Sequence, residues 1–187
     1  MYDVNKPDEK SSDLRIRLLA AALTALERGE EVALRAVARE AGVSAMAPYR
    51  HFRDKAALLE AVAMQGFDAL RTALRAADQR PDAVTALVAQ GEAYLAFARA
   101  HPALFRLMFA GHEGGPPPVE DNAYGVMVQR VRELAPADTE AATLACWSTV
   151  HGMATLALDG GLPAHSTHLE RAALSLVVAG LAPPSDK

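Results

Sequence analysis

Apolar residues recur at intervals of three and four along most of this chain, the spacing of one helix face. No stretch alternates apolar and polar residues with β-branched enrichment, as a half-buried strand would. Leu18, Leu19, Ala22, Leu23 and Leu26 share a face over 14–26, with Arg15 and Arg17 off it, and Gly29 is placed to stop that helix. Leu34, Val37, Ala38 and Ala41 repeat over a second, short helix that Gly42 ends. Ser44 is placed to cap a third, over 45–52, and Asp54 a long fourth, over 55–77.

Asp82 caps the next helix, which reaches about Arg99, and a short one follows over 103–109. The stretch GHEGGPPPVEDN, 111–122, is too rich in glycine and proline to be anything but a loop. Helices over 123–134, 139–158 and 166–181 complete the chain, with breaks at Pro136 and at Gly160–Pro163. The expectation is an all-α protein of about nine helices. Residues 1–12 form a disordered lead, 13–60 a three-helix domain containing a helix-turn-helix, and 61–187 a larger helical bundle.

Composition agrees with this pattern. Of 187 residues, 51% are hydrophobic but only 5% aromatic, so alanine and leucine supply the apolar content and favour helix. The net charge of −4 argues against a uniformly basic coat, yet it hides an asymmetry. Between positions 35 and 55, five cations (Arg35, Arg39, Arg50, Arg53, Lys55) face two anions (Glu40, Asp54), a local +3. A small basic face on an acidic body suits one polyanion at one place. The single cysteine, Cys146, excludes an internal disulfide and a cysteine metal cluster. The polar start MYDVNKPDEKSSD has no apolar signal core, and no apolar run approaches the ~20 residues that cross a bilayer. A cytoplasmic protein without a membrane partner is expected.

The basic segment falls on the helix-turn-helix. Gly42 accepts the positive φ of a tight interhelical turn, and Val43 plugs it. The following helix is expected to enter a major groove by its N-terminal end. Ser44, Ala45, Met46 and Ala47 would let the backbone close on DNA, the Ser44 hydroxyl and free N–H groups meeting a phosphate. Tyr49, His51 and Lys55, with Arg50 among them, carry the reach and donors for backbone phosphates. Phe52 more naturally fills the small core.

These residues carry a resemblance. Over about 14–64, RIRLLAAALTALERG…LRAVAREAGVSAMAPYRHFRDKAALLEAV resembles the N-terminal domain of TetR-family transcriptional regulators. The marks are the Ala41-Gly42-Val43-Ser44 turn, Tyr49-x-His51-Phe52, and Lys55 followed by Leu58-Leu59. The resemblance implies a homodimeric repressor released from a palindromic double-stranded operator by a small ligand. It also implies base or sugar contacts over 44–49, phosphate contacts at Tyr49, His51 and Lys55, and backbone contact at Leu34-Arg35. This sequence departs from the pattern twice. The cap of the second helix is Leu34 where the family often has Ser or Thr, and Arg35 is expected to substitute for the lost contact. Pro48 removes the first intrahelical N–H bond and is expected to distort the start of the reading helix.

Residues 80–182 resemble the regulatory domain of a TetR subgroup with a Trp-x3-His-Gly signature, here Trp147 to Gly152, and with the stretch His101–Phe109. Trp147 and His151, four apart, share a helix face. With Tyr94, Phe97, Phe105, Met108 and Phe109 they either line a mostly apolar ligand pocket or simply pack; Gly152 is expected to allow close helix approach. Leu169, Ala172, Ala173, Leu176, Val177 and Gly180 form a stripe fit for a monomer core or a partner. The resemblance makes it a dimer seam built from 139–158 and 166–181.

The histidines are scattered, with no metal-ligand spacing, so neither a metal nor a cofactor is expected. No Ser-His-acid set, phosphate loop or carboxylate pair points to an enzyme, and GHEGG neither follows a strand nor opens a helix. The alternatives that remain are a helical interaction module without DNA binding, or an activator of the same fold.

Overall fold

The computed structural model describes residues 9–110, 122–163 and 166–181. Among them every regular element is helical: α1 (Glu9–Glu27), α2 (Leu34–Glu40), a single 3-10 turn (Ala47–Arg50), α3 (Lys55–Ala77), α4 (Ala83–Ala100), α5 (Pro102–Phe109), α6 (Ala123–Leu134), α7 (Thr139–Leu158) and α8 (Thr167–Ala179). The all-α expectation holds, with eight α-helices and one 3-10 turn in place of nine helices. α1 begins at Glu9, inside the expected lead; residues 1–8 and all of the expected loop but Asn122 lie outside the described residues, as do His112 and His165.

The chain divides into two units. The first holds 1–66 and 103–110, the second 67–102 and 111–187. The boundary falls within α3, six residues beyond the expected one, and α5 belongs to the first unit. The α3 glycine explains that attachment: a Cβ on Gly66 would lie 2.6 Å from Sδ of Met108 and 3.1 Å from Cδ1 of Leu104. The core of the first unit is Leu18, Val37, Phe52, Leu58 and Val62, with Leu104, Phe105 and Met108 of α5 also buried. The guanidinium of Arg15 lies 4.7 Å from the ring centre of Phe52, closing the core on that side.

In the second unit α4 is the central helix. It packs on α6, α7 and α8 and buries ten of its 18 residues, leaving Thr85, Ala96 and Arg99 exposed along one stripe. Asp82 caps it, its carboxylate accepting from the Thr85 N–H at 2.9 Å. Gly91 lets α8 approach, because a Cβ there would lie 2.7 Å from Cδ2 of Leu174. Sequence reading gave that role to Gly152, yet nothing lies within 4 Å of a Cβ placed at Gly152. α8 is tied to α4 by ion pairs of Arg99 with Glu170 and of Arg171 with Glu92.

α7 corrects one more expectation. It has 20 residues and a mean hydropathy of 1.2, enough by length and composition to cross a membrane. Its alanines and leucines are broken by Thr143, Ser148, Thr149 and His151, so it escapes a search for unbroken apolar runs. Only 22% of it is buried.

Candidate nucleic-acid interface and effector domain

The turn after α2 shows why glycine stands at 42. Gly42 has φ +68°, its N–H donates to the Arg39 carbonyl at 3.1 Å, and the Val43 N–H donates to the Ala38 carbonyl at 2.9 Å. These two bonds satisfy carbonyls the helix end would leave bare, and they need a left-handed residue between them. Arg17 of α1 donates to the Ala41 carbonyl, tying the first helix to the turn.

Beyond the turn the expected helix over 45–52 does not form. Pro48 has no N–H to give the Ser44 carbonyl, and the Ala47 N–H takes that acceptor instead at 2.9 Å, an i→i+3 bond. Helix is thereby reduced to the 3-10 turn Ala47–Arg50, with the Pro48 ring fully buried and the His51 and Phe52 N–H groups both on its carbonyl. Met46, not Ser44, occupies the cap position, and makes no side-chain cap bond. With the Ala47 N–H engaged, the expected row of free N–H groups for a phosphate is shortened.

The side chains assigned to DNA nevertheless face outward. Ser44, Ala45, Tyr49, Arg50, Arg35 and Lys55 are exposed, Met46 is 68% exposed, and Ala47 and His51 are half-buried. Arg35 lies in the first turn of α2, whose cap is Ala33 rather than Leu34; Leu34 is buried and cannot touch a backbone. Lys55 is not idle, its Nζ standing 3.7 Å from Oε1 of Glu31. Asp54 caps α3, accepting from the Ala57 N–H at 2.8 Å.

In the second unit, Tyr94, His151 and Trp147 come together as the sequence spacing suggested. The Tyr94 hydroxyl and Nδ1 of His151 are 2.9 Å apart, and the Trp147 and His151 ring centres 5.9 Å. Burial pushes the Tyr94 phenol far above its usual range, a hydrogen bond with Trp147 drawing it partly back, and burial pushes His151 down. Tyr94 and Phe97 are core residues of α4. Phe105, Met108 and Phe109 lie on α5 in the first unit, where the two phenylalanine ring centres are 4.9 Å apart with the rings tilted by 52°.

Tyr94 borders a cavity of about 40 Å³, room for a few waters. Cys146 borders it too, its thiol pushed up to about 11 by burial. Sequence reading missed Gln90, which also lines it. Gln90 is 3% exposed; its Nε2 donates to Oδ1 of Asp78 at 2.7 Å, and its Oε1 has no hydrogen-bond partner. The signal was available as a lone amide inside the apolar run AVTALVAQGEAYLAF. Among the described residues no three His, Cys, Asp or Glu side chains gather as a metal site.

Comparison with known proteins agrees with both halves. Residues 18–62 match the family "Bacterial regulatory proteins, tetR family", and residues 87–180 match "Tetracyclin repressor-like, C-terminal domain". The chain belongs to the TetR family. It is a DNA-binding transcriptional regulator by that membership, of a family whose members typically dimerise and respond to small ligands. A solved protein of unknown function from Rhodococcus sp. RHA1 is 35% identical, covers 98% of this chain and 100% of its own, and superposes with a TM-score of 0.80. A bacterial regulatory protein of the tetR family from Rhodococcus RHA1 is 20% identical over 90% of this chain and 97% of its own, with a TM-score of 0.65. A TetR variant from Acinetobacter baumannii AYE in complex with minocycline is 19% identical over 94% and 96%, with a TM-score of 0.64. No curated protein sequence matches the chain.

Proposed function

We propose that this TetR-family chain is a homodimeric repressor that holds a palindromic operator and leaves it when a small molecule enters the second unit. The observation that carries this reading is the outward apolar face of α7 and α8. Leu176 is 76% exposed, and Leu144, Leu156 and Leu169 are each about half exposed. Single exposed leucines are ordinary; four on two neighbouring helices are a patch that water disfavours. A second copy of the same helices covers it as a two-fold four-helix seam. Open space at Gly152 supports that geometry, since a partner helix can approach closely there.

Pairing gives DNA binding its reach. One 3-10 turn with a few exposed side chains makes few contacts, and two heads spaced by one helical repeat multiply them. Met46 and Ala47 touch base edges, while Arg35, Tyr49, Arg50, His51 and Lys55 hold phosphates. The effector acts through the last turns of α3, which lie in the second unit of a helix that begins with Lys55. It must bind the DNA-free state better than the bound one. The cavity beside Tyr94, at about 40 Å³, is too small as it stands for a ligand of ordinary size, so the apolar effector expected there enters by parting α4 from α7 and α8.

Selection of bound sequences from random duplex tests the whole reading. A palindrome is expected, with affinity falling steeply in salt and the slope reduced by about one for Tyr49→Ala, Arg50→Ala or Lys55→Ala where each meets a phosphate. A purified chain that enriches no duplex at low salt overturns it in favour of an interaction module.

A further inference from the structure

The cavity that Tyr94 borders is walled by leucines and valines of α3, α4, α7 and α8, among them Leu74, Leu87, Val150 and Leu174. Among the described residues no Asp, Glu, Lys, Arg or His lines it. Into this apolar lining α4 sets one amide, that of Gln90, which is 3% exposed.

The orientation of that amide is fixed. Nε2 of Gln90 donates to Oδ1 of Asp78 at 2.7 Å, and the same oxygen accepts from Nε of Arg130 at 2.8 Å. Turned over, the amide would set its oxygen against a carboxylate oxygen, acceptor against acceptor. Oε1 is therefore the end left over, and it has no hydrogen-bond partner. A buried amide oxygen without a partner is costly, and it can only accept, so what it lacks is a donor. The walls add two restrictions. Leucines and valines favour an apolar body. With no cation in the lining, an acid would be buried unpaired, and the Asp78 carboxylate lies on the far side of the Gln90 amide.

We infer that this cavity takes a neutral, mainly apolar hydroxyl compound, whose O–H donates to Oε1 of Gln90. The inference rests on the ligand-responsive reading and gives that ligand a class and a polar anchor. At about 40 Å³ the present space admits the hydroxyl and the carbons next to it, and the rest of the body follows as α4 parts from α7 and α8. The anchor also gives the ligand a route to α3. Gln90 is bonded to Asp78, whose N–H extends the last turn of α3 by donating to the Leu74 carbonyl at 2.9 Å, and Leu74 itself borders the cavity. A body that displaces Gln90 or Leu74 therefore displaces the end of α3.

The test is calorimetric titration of the full chain with cyclic alcohols, each paired with the ketone of the same skeleton: cyclopentanol with cyclopentanone, cyclohexanol with cyclohexanone, cyclooctanol with cyclooctanone. Each pair keeps size and shape, and only the alcohol can donate. At least one alcohol is expected to bind, its ketone about tenfold or more weakly. Cyclohexanecarboxylate should not bind. Gln90→Met keeps the length of the side chain, removes the acceptor and leaves Asp78 its bond to Arg130, so alcohol and ketone should then bind alike. Thr149→Val, which removes a hydroxyl elsewhere in the lining, should keep the preference. The wild-type pairs decide the matter should Gln90→Met fail to fold. No alcohol bound at about 10 mM (near the limit of a useful effector), a ketone bound as tightly as its alcohol, or a preference lost in Thr149→Val and kept in Gln90→Met overturns the assignment. An alcohol bound with the expected preference but without any change in affinity for the selected duplex leaves the anchor standing and removes the ligand-responsive reading.

Discussion

Gln90 donates from Nε2 to Oδ1 of Asp78 at 2.7 Å, and the same oxygen accepts from Nε of Arg130 at 2.8 Å. One carboxylate just past the end of α3 thus joins α4 and α6. Replacing it with alanine leaves the buried Gln90 amide with neither group paired, because its Oε1 already lacks a partner. Asp78→Ala should therefore cost about 1–3 kcal/mol in urea denaturation. Gln90→Leu in the same background should recover much of it, since removing both partners also removes the desolvation penalty. A double mutant no more stable than Asp78→Ala would show that the buried amide is not what the carboxylate satisfies.

How much of this was legible follows from what each residue's neighbours do. The Gly42 turn was readable because positive φ is a local demand, met within four residues. The pairing of Tyr94 with His151 was half readable: spacing put Trp147 and His151 on one face, and the family likeness named the signature, but which helix faces Tyr94 is a tertiary fact. The third helix was misjudged in degree. Pro48 was seen to remove a bond, yet its full effect depended on the Ala47 N–H taking the Ser44 carbonyl and on the ring being buried. That Arg75, Arg132 and Thr143 line one concavity was not legible, since they lie on three helices far apart in sequence.

The ion pair of Lys55 with Glu31 competes with DNA. At 3.7 Å between two exposed side chains it is a weak contact, of the class contributing about 0.2–1 kcal/mol. Glu31→Gln frees the ammonium for phosphate and removes a repelling charge. Affinity for the selected duplex should rise roughly 1.5- to 5-fold at low salt, and the gain should fade as salt screens it. Fluorescence anisotropy across a salt series measures both. Unchanged affinity at low salt would mean that Lys55 does not reach the backbone.

Acid should loosen the second unit in two windows. Burial lowers the His151 pKa, so the unfolded chain binds protons more readily below about 6.5. Stability from this group is complete above the unfolded value and is lost as pH falls through the folded one. For Glu170 burial pushes the pKa up, but the Ser166 hydroxyl at 2.6 Å and the Arg99 guanidinium outweigh it and leave it lowered. Its contribution is present above the ordinary carboxylate range and is lost as pH falls through the lowered value. Urea midpoints of the wild type should thus decline first below about 6.5 and again below about 4.5. His151→Gln should flatten the upper decline and Glu170→Gln the lower. A single decline common to all three proteins would refute the assignment.

Leu176 is the most exposed leucine of α8, yet the next two residues, half-buried Val177 and buried Val178, turn inward, so its exposure is a property of the helix face and not of a frayed end. If a second copy covers that face, a charge there is buried in the pair and exposed in the single chain. Leu176→Glu would then leave the fold of the protomer intact, because the side chain meets water in either case. The pair is symmetric, so each substitution places two carboxylates near the two-fold axis, and repulsion adds to desolvation. Sedimentation should show a folded monomer where the wild type is a dimer, with unchanged helix content by circular dichroism. DNA binding should fall much further than one contact explains, because the heads then bind as separate ligands and lose their effective concentration. Half-site affinity should survive, and a duplex carrying one half-site should no longer be distinguished from the palindrome. A Leu176→Glu chain that remains dimeric would move the seam away from α8.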